Sequence, residues 1–262
     1  MALFLSGLPL RGAIILLVVL PTIATICGLI LSRRWFSRAH LASNNEIVGF
    51  KFATVGVLYS VLVAFAVIVV WEKFNDAETA VVQEAGAAAN LYRLAAGSEP
   101  GMIATRAALG NYLRLAIDRD WPLMAMEKES HEVTQALDAL FATALRLAED
   151  GSRQQAILAE MFKQLDAITQ ARRTRLHRAT GIVPRIVWLV LSCGAVLTVS
   201  FTFFFHTKNL LAQVVMTGIL TVLVFMGLLV IVSIDHPFTG PSSVSSEPLR
   251  TVVGAPAVVP SR

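Results

Sequence analysis

Residues 52–71, from Phe52 to Trp71, read FATVGVLYSVLVAFAVIVVW, twenty positions without a single Asp, Glu, Lys or Arg. A hydrocarbon core about 30 Å thick is crossed by roughly 20 residues of helix, and soluble cores seldom need so long an uncharged run. Three further stretches share the property: Ala13–Leu31, Ile186–Phe205 and Asn209–Ile234. Lipid offers nothing to bond a bare peptide N–H or C=O, so each run must satisfy its own backbone as a helix. The reading is an all-α integral membrane protein with four transmembrane helices, two at each end, around a long charged middle.

Composition agrees: 55% of the 262 residues are hydrophobic and 15% charged, outside the usual soluble range. From Glu72 to Arg185 there are 15 acidic and 14 basic residues, so the middle is nearly neutral and offers no nucleic-acid surface. Arg172, Arg173, Arg175, Arg178 and Arg185 crowd against the third hydrophobic stretch, where lipid phosphates or an acidic helix would meet them. Cys27 and Cys193 both fall within apolar runs and read as small packing residues rather than a metal or disulfide framework. Arg11 followed by an apolar run superficially suggests a signal peptide. The length of the run, Pro21 in its middle and the bulky Ile26 before Cys27 favour a retained, kinked first helix.

The expected layout is a first transmembrane pair over 1–71, an extramembrane helical bundle over 72–181, a second pair over 182–236 and a disordered tail over 237–262. The second membrane helix does not end at Trp71, because Glu72–Ala96 contains no Pro and is rich in Ala, Glu and Val. The helix should therefore run on out of the bilayer until Gly97-Ser98-Glu99-Pro100-Gly101 breaks it. Bundle helices follow over Met102–Arg119, ended by Trp121-Pro122, then from Ser130 to Ala148, then over Ser152–Ala179 after Gly151, each with an apolar stripe at helical spacing. His206-Thr207-Lys208 makes a short hairpin link, and the Ser-, Pro- and Val-rich tail lacks the composition of a core. Arg33, Arg34, Arg38 and Lys51 draw the first loop inward, while the later arginines draw the other side inward. The bundle is read as cytoplasmic and the protein as multi-pass in the cell inner membrane.

On the second membrane helix Gly56, Ser60 and Ala64 recur every four residues, with Tyr59 beside them. This small-xxx-small spacing serves either close helix packing or the lining of a pore. Beyond Trp71, Glu72 and Asp76 share a face and Glu84 sits among Val81, Val82, Ala85 and Ala88. These carboxylates either set charge at a pore mouth or pair with Arg172, Arg173, Arg175 and Arg178. Glu84 in particular requires a partner in so apolar a setting, with Arg173 and Arg93 as candidates. No metal site and no cofactor are expected. His131-Glu132 lacks the second histidine of a zinc-protease helix, no phosphate loop or nucleophile elbow is present, and no nucleophile–base pair can be named. An enzyme is not expected.

Several of these stretches together resemble one family. Asn45-Glu46-Ile47-Val48-Gly49-Phe50-Lys51-Phe52 through Tyr59, Val70-Trp71-Glu72, Gln83-Glu84-Ala85, Leu91-Tyr92-Arg93, Arg172-Arg173-Thr174-Arg175-Leu176, Pro184-Arg185-Ile186-Val187-Trp188 and Asp235-His236-Pro237-Phe238-Thr239-Gly240 look like the bacterial bestrophin-like family of unassigned function. The resemblance implies a four-helix membrane protein distantly similar to bestrophins, which are pentameric ion channels with a cytoplasmic helical domain. It implies lipid, inorganic ions and further copies of the chain as partners, and a pore along the second membrane helix. The chain departs from bestrophins in its tail, where Glu247 is the single acid beyond Gly240, so their acidic calcium clasp has no counterpart. Their aromatic-and-aliphatic neck is not identifiable within Phe52–Trp71. The rival reading is a non-conducting membrane sensor or scaffold whose bundle binds a partner.

Overall fold

The computed structural model describes residues 6–35, 45–149, 155–181, 183–205 and 209–254, and among these there is no strand. Arg38, Gly151 and the His206–Lys208 link lie outside the described residues. Four helices are long and apolar enough to cross a membrane, as the charge-free runs predict.

The chain forms two compact units. The membrane unit comprises residues 1–72, 181–236 and 240–242. Its first helix, α1, starts as Leu10–Ile14, widens into a π turn over Ile15–Val19 and continues as Leu20–Trp35. Pro21 cannot donate to a carbonyl four residues back, and the π turn lies where that bond would have formed. Helix α2 is a single run, Asn45–Leu94, of which the membrane unit holds the first part. Helices α3 (Pro100–Leu115) to α6 (Gln155–Arg178) belong to the second unit; α7, Arg185–Phe201, ends in the 3-10 turn Thr202–Phe204, and α8 is Leu210–Ile234. Asn209 caps α8, its side-chain oxygen accepting from the Leu211 and Ala212 amides. Helix α8 packs along α1 and against α7. At one end Arg33 donates to the Gln213 side chain, whose Nε2 donates to the Phe205 carbonyl at 2.6 Å. Asp235, which closes α8, accepts from the Val183 amide at 2.8 Å. Gly240 has φ +79°, and a Cβ there would strike the Ser6 carbonyl, so both conformation and space demand glycine.

The bundle unit comprises residues 73–180, 237–239 and 243–262. It contains the rest of α2, then α3 (Pro100–Leu115), a short α4 (Trp121–Met124), α5 (His131–Glu149), α6 (Gln155–Arg178) and α9 (Glu247–Gly254). Their apolar stripes meet in one core that includes Leu91, Leu109, Leu113, Leu140, Met161 and Leu165. Two expectations need correction. Trp121-Pro122 does not end the helix: a π turn over Ala116–Asp120 bonds the Trp121 amide to the Ala116 carbonyl, and the helix runs on through Pro122 as the short α4, Trp121–Met124. The tail is not disordered over Glu247–Gly254, because Leu249 inserts fully into the core. Val252 packs beside it, and Val244 is buried in a neighbouring cluster; in the sequence these apolar anchors are masked by the Ser- and Pro-rich residues around them.

Candidate functional site

Helix α2 has two opposite faces along its whole length. One is covered, at Tyr59 and Val70 in the membrane unit and at Ala77, Val81, Glu84, Ala88 and Leu91 in the bundle unit. The other is exposed at intervals of three and four residues: Thr54, Leu58, Val61, Phe65, Ile68 and Glu72 in the membrane unit, then Asn75, Thr79, Val82, Gly86, Asn90 and Arg93 in the bundle unit. Three-and-four spacing keeps each set in one stripe. In the membrane unit it is apolar from Leu58 to Ile68 and ends on Glu72; in the bundle unit it is polar apart from Val82 and Gly86.

Gly56, Tyr59, Ser60 and Ala64 lie on the other side of α2, where with Phe52, Val63, Thr198 of α7 and Leu220, Leu223 and Val224 of α8 they border a groove of about 580 Å3. Tyr59 is buried and donates to the Leu191 carbonyl at 3.1 Å. Its ring lies on Gly194, where a Cβ would come within 2.6 Å of it. Phe52 forms an aromatic cluster with Phe201 and Phe205, at centroid distances of 6.1 and 5.4 Å.

In the bundle unit four charges are buried together. Glu84, Asp120 and Arg175 have side chains with no exposed surface, and Arg172 has 7%. Arg175 forks onto Glu84, Nε to Oε2 at 2.7 Å and Nη2 to Oε1 at 3.0 Å, and reaches Asp120 Oδ2 at 3.4 Å. Arg172 donates to Asp120 Oδ2 at 3.0 Å, to Thr134 Oγ1 and to the Ser130 carbonyl. Asp120 also accepts from the Ser130 amide at 3.0 Å, and the Tyr112 hydroxyl donates to Glu84 at 2.6 Å. Two carboxylates face two guanidiniums, so the net buried charge is zero and most lone pairs are occupied, the condition under which buried ions are tolerated. The Trp121 ring lies 4.7 Å from the Arg175 guanidinium, and its Nε1 donates to the Val244 carbonyl. Burial, and then the Glu84 carboxylate, push the Tyr112 hydroxyl well above its ordinary 10.0, so it remains a donor. Burial alone would lower the Arg175 pKa, but Glu84 and its hydrogen bonds outweigh this and raise it, so the guanidinium stays charged.

The Bestrophin-like domain model matches residues 19–249. The chain belongs to the bestrophin-like family. Among solved structures, a bacterial bestrophin homolog from Klebsiella pneumoniae superposes on the bestrophin-like chain with a TM-score of 0.72 at 14% identity, covering 90% of this chain and 95% of that one. A tryptophan-to-alanine variant of that homolog gives 0.72 and 14% over 93% and 95%. A glycine-to-alanine variant of a membrane protein gives 0.71 and 16% over 92% and 96%. These likenesses concern the fold. No functionally curated protein matches the sequence.

Within this bestrophin-like chain the structure separates the residues that the sequence groups together. Glu84 pairs with Arg175, not with Arg173, which is exposed, or Arg93, which bonds Asn90. Asp76 pairs with Arg178 at 3.1 Å, leaving Glu72 exposed on the stripe. Asp120, Arg172's main partner, was passed over in the sequence although it continues the buried stripe of Leu109, Leu113 and Ala116 at spacings of four, three and four. That stripe was the available signal. Among the described residues no three His, Cys, Asp or Glu side chains are grouped to hold a metal ion.

Proposed function

We propose that this bestrophin-like protein is an ion channel assembled from several copies around an axis that the exposed stripe of α2 faces, five copies if it follows the bestrophins it resembles. The supporting observation is the coverage of α2. Only 11% of its most apolar window is buried within the chain, against 17%, 28% and 22% for the other three spans. On a water-filled axis Leu58, Val61, Phe65 and Ile68 would form an apolar constriction and Glu72 a ring of charge at its mouth. In this arrangement Tyr59 serves packing, lying on Gly194 of α7, while Gly56, Ser60 and Ala64 border the groove beside α7 and α8. The membrane is the cell inner membrane, with the bundle on the cytoplasmic side.

Imaging of the purified particle and ion flux in reconstituted vesicles test the proposal together. A closed ring that conducts is expected, and Glu72→Gln should move the cation-to-anion permeability ratio toward unity while Asp76→Asn, whose carboxylate is held by Arg178, changes it little. A non-conducting monomer or dimer would favour the sensor or scaffold reading instead.

A further inference from the structure

The residues that follow α8 enter the bundle unit and seat against Trp121. The Phe238 ring meets the Trp121 ring edge-on, with centroids 5.8 Å apart. Trp121 Nε1 donates to the Val244 carbonyl at 3.2 Å. The Val244 amide donates to the Pro237 carbonyl at 2.7 Å, which closes residues 237–244 into a strap. Thr239 Oγ1 donates to the Ala125 carbonyl at 3.3 Å. Phe238 and Val244 are buried in one cluster with Ala77, Val81, Met124 and Ala179, and Trp121 packs on it. Two of these residues also hold Arg175: Trp121 through its ring, and Met124, whose sulfur accepts from Nη1 at 3.2 Å. The strap therefore covers two of the side chains that touch the buried charges.

The strap is held differently from the helices around it. Residues 237–246 include no charge, so its grip is apolar contact and a few hydrogen bonds, and a segment held this way opens more readily than a packed helix. What it covers behaves in the opposite sense, because a guanidinium stripped of water is costly unless its surroundings stay closed and paired. The strap also starts beside a fixed point. Asp235, at the end of α8, holds the Val183 amide within the membrane unit, and only His236 and Pro237 separate it from Phe238. Three residue steps reach at most about 11 Å, so a shift at the end of α8 arrives at Phe238 with little slack.

We propose that residues 237–244 are a latch through which the end of α8 controls the buried charges of the bundle. Seated, the latch keeps Trp121 on Arg175 and water out; drawn away by a shift of α8, it frees Trp121 and lets water reach Arg175 and Asp120. The device lies within one chain and stands whether or not the protein conducts. Hydrogen–deuterium exchange of the full chain in phosphatidylcholine nanodiscs tests it, read over residues 116–126 and, as a control in the same bundle, over residues 137–147 of α5. Asp235→Ala, a change in the membrane unit that releases the Val183 amide, should speed exchange over residues 116–126 about tenfold, the scale of one buried hydrogen bond, and leave α5 unchanged. Val183→Pro, which removes the donor instead of the acceptor, should do the same. Two glycines inserted between His236 and Pro237 supply slack, and combined with either substitution they should return exchange to the wild-type rate. Unchanged exchange over residues 116–126 in both substituted proteins would overturn the coupling, and so would fast exchange that persists with the insertion. Equal acceleration of α5 would mean a general loosening of the bundle and would overturn the latch as well.

Discussion

Glu84 shows how much one position can be inferred from its neighbours. A carboxylate between Val81, Val82 and Ala85 had to find a cation, and it finds one; the identity of that cation depends on helix phase, because Arg172 and Arg175 turn inward on α6 while Arg173 turns out. Removing half of a desolvated pair leaves the other half uncompensated. Arg175→Met should therefore destabilise the bundle by about 3–5 kcal/mol, and adding Glu84→Gln should restore most of the loss; unfolding of the purified protein in detergent measures both. Tyr112 supplies a pH test. Its hydroxyl is held above 10.0 in the folded state by burial and by Glu84, so above pH 10 the unfolded chain releases a proton that the folded chain keeps. Stability contributed by this group is fully present below pH 10 and declines as pH rises beyond it. Melting curves from pH 9 to 11 should show this decline in the wild type and a shallower one in Tyr112→Phe, which itself costs about 1–2 kcal/mol through the lost donor to Glu84.

At the scale of elements, the four spans and the long α2 were legible because lipid imposes a length and an absence of charge that few other environments require. The bundle helices were legible from their stripes. What escaped were an acid at the end of an apolar stripe and a short helix within a polar tail. Asp120 continues the buried stripe of Leu109, Leu113 and Ala116 and becomes a ligand of two arginines, but an aspartate there does not read as part of a core until its cations on α6 are known. Helix α9 is eight residues long, too short to hold itself in water; Leu249 in the core fixes it. Leu249→Ala should cost about 3 kcal/mol and release α9, so limited proteolysis should cut within Glu247–Gly254 in the variant and spare it in the wild type. Equal cleavage of both would mean that α9 is held by something other than Leu249.

For the whole molecule, the decisive property is the solvent that the uncovered stripe of α2 meets. Lipid, a second copy and an aqueous axis would each leave Leu58, Val61, Phe65 and Ile68 exposed in a single chain, but they respond differently to charge. An aspartate facing hydrocarbon near the middle of a span costs about 2.5–3.5 kcal/mol, whereas one facing a water-filled axis is hydrated and widens the wetted path. Leu197 on α7, 64% exposed, provides the comparison for Phe65 on α2, 63% exposed. Equal exposure within the chain makes any difference between them a report on what lies outside it. Phe65→Asp should insert and assemble like the wild type and pass more current, while Leu197→Asp should lower the yield of membrane-inserted protein. If the two substitutions impair insertion alike, the stripe meets lipid and the axial pore is wrong. If Phe65→Asp inserts but breaks the assembly, the stripe is a dry seam between copies, and the bundle then becomes the part of the molecule whose partners need to be sought.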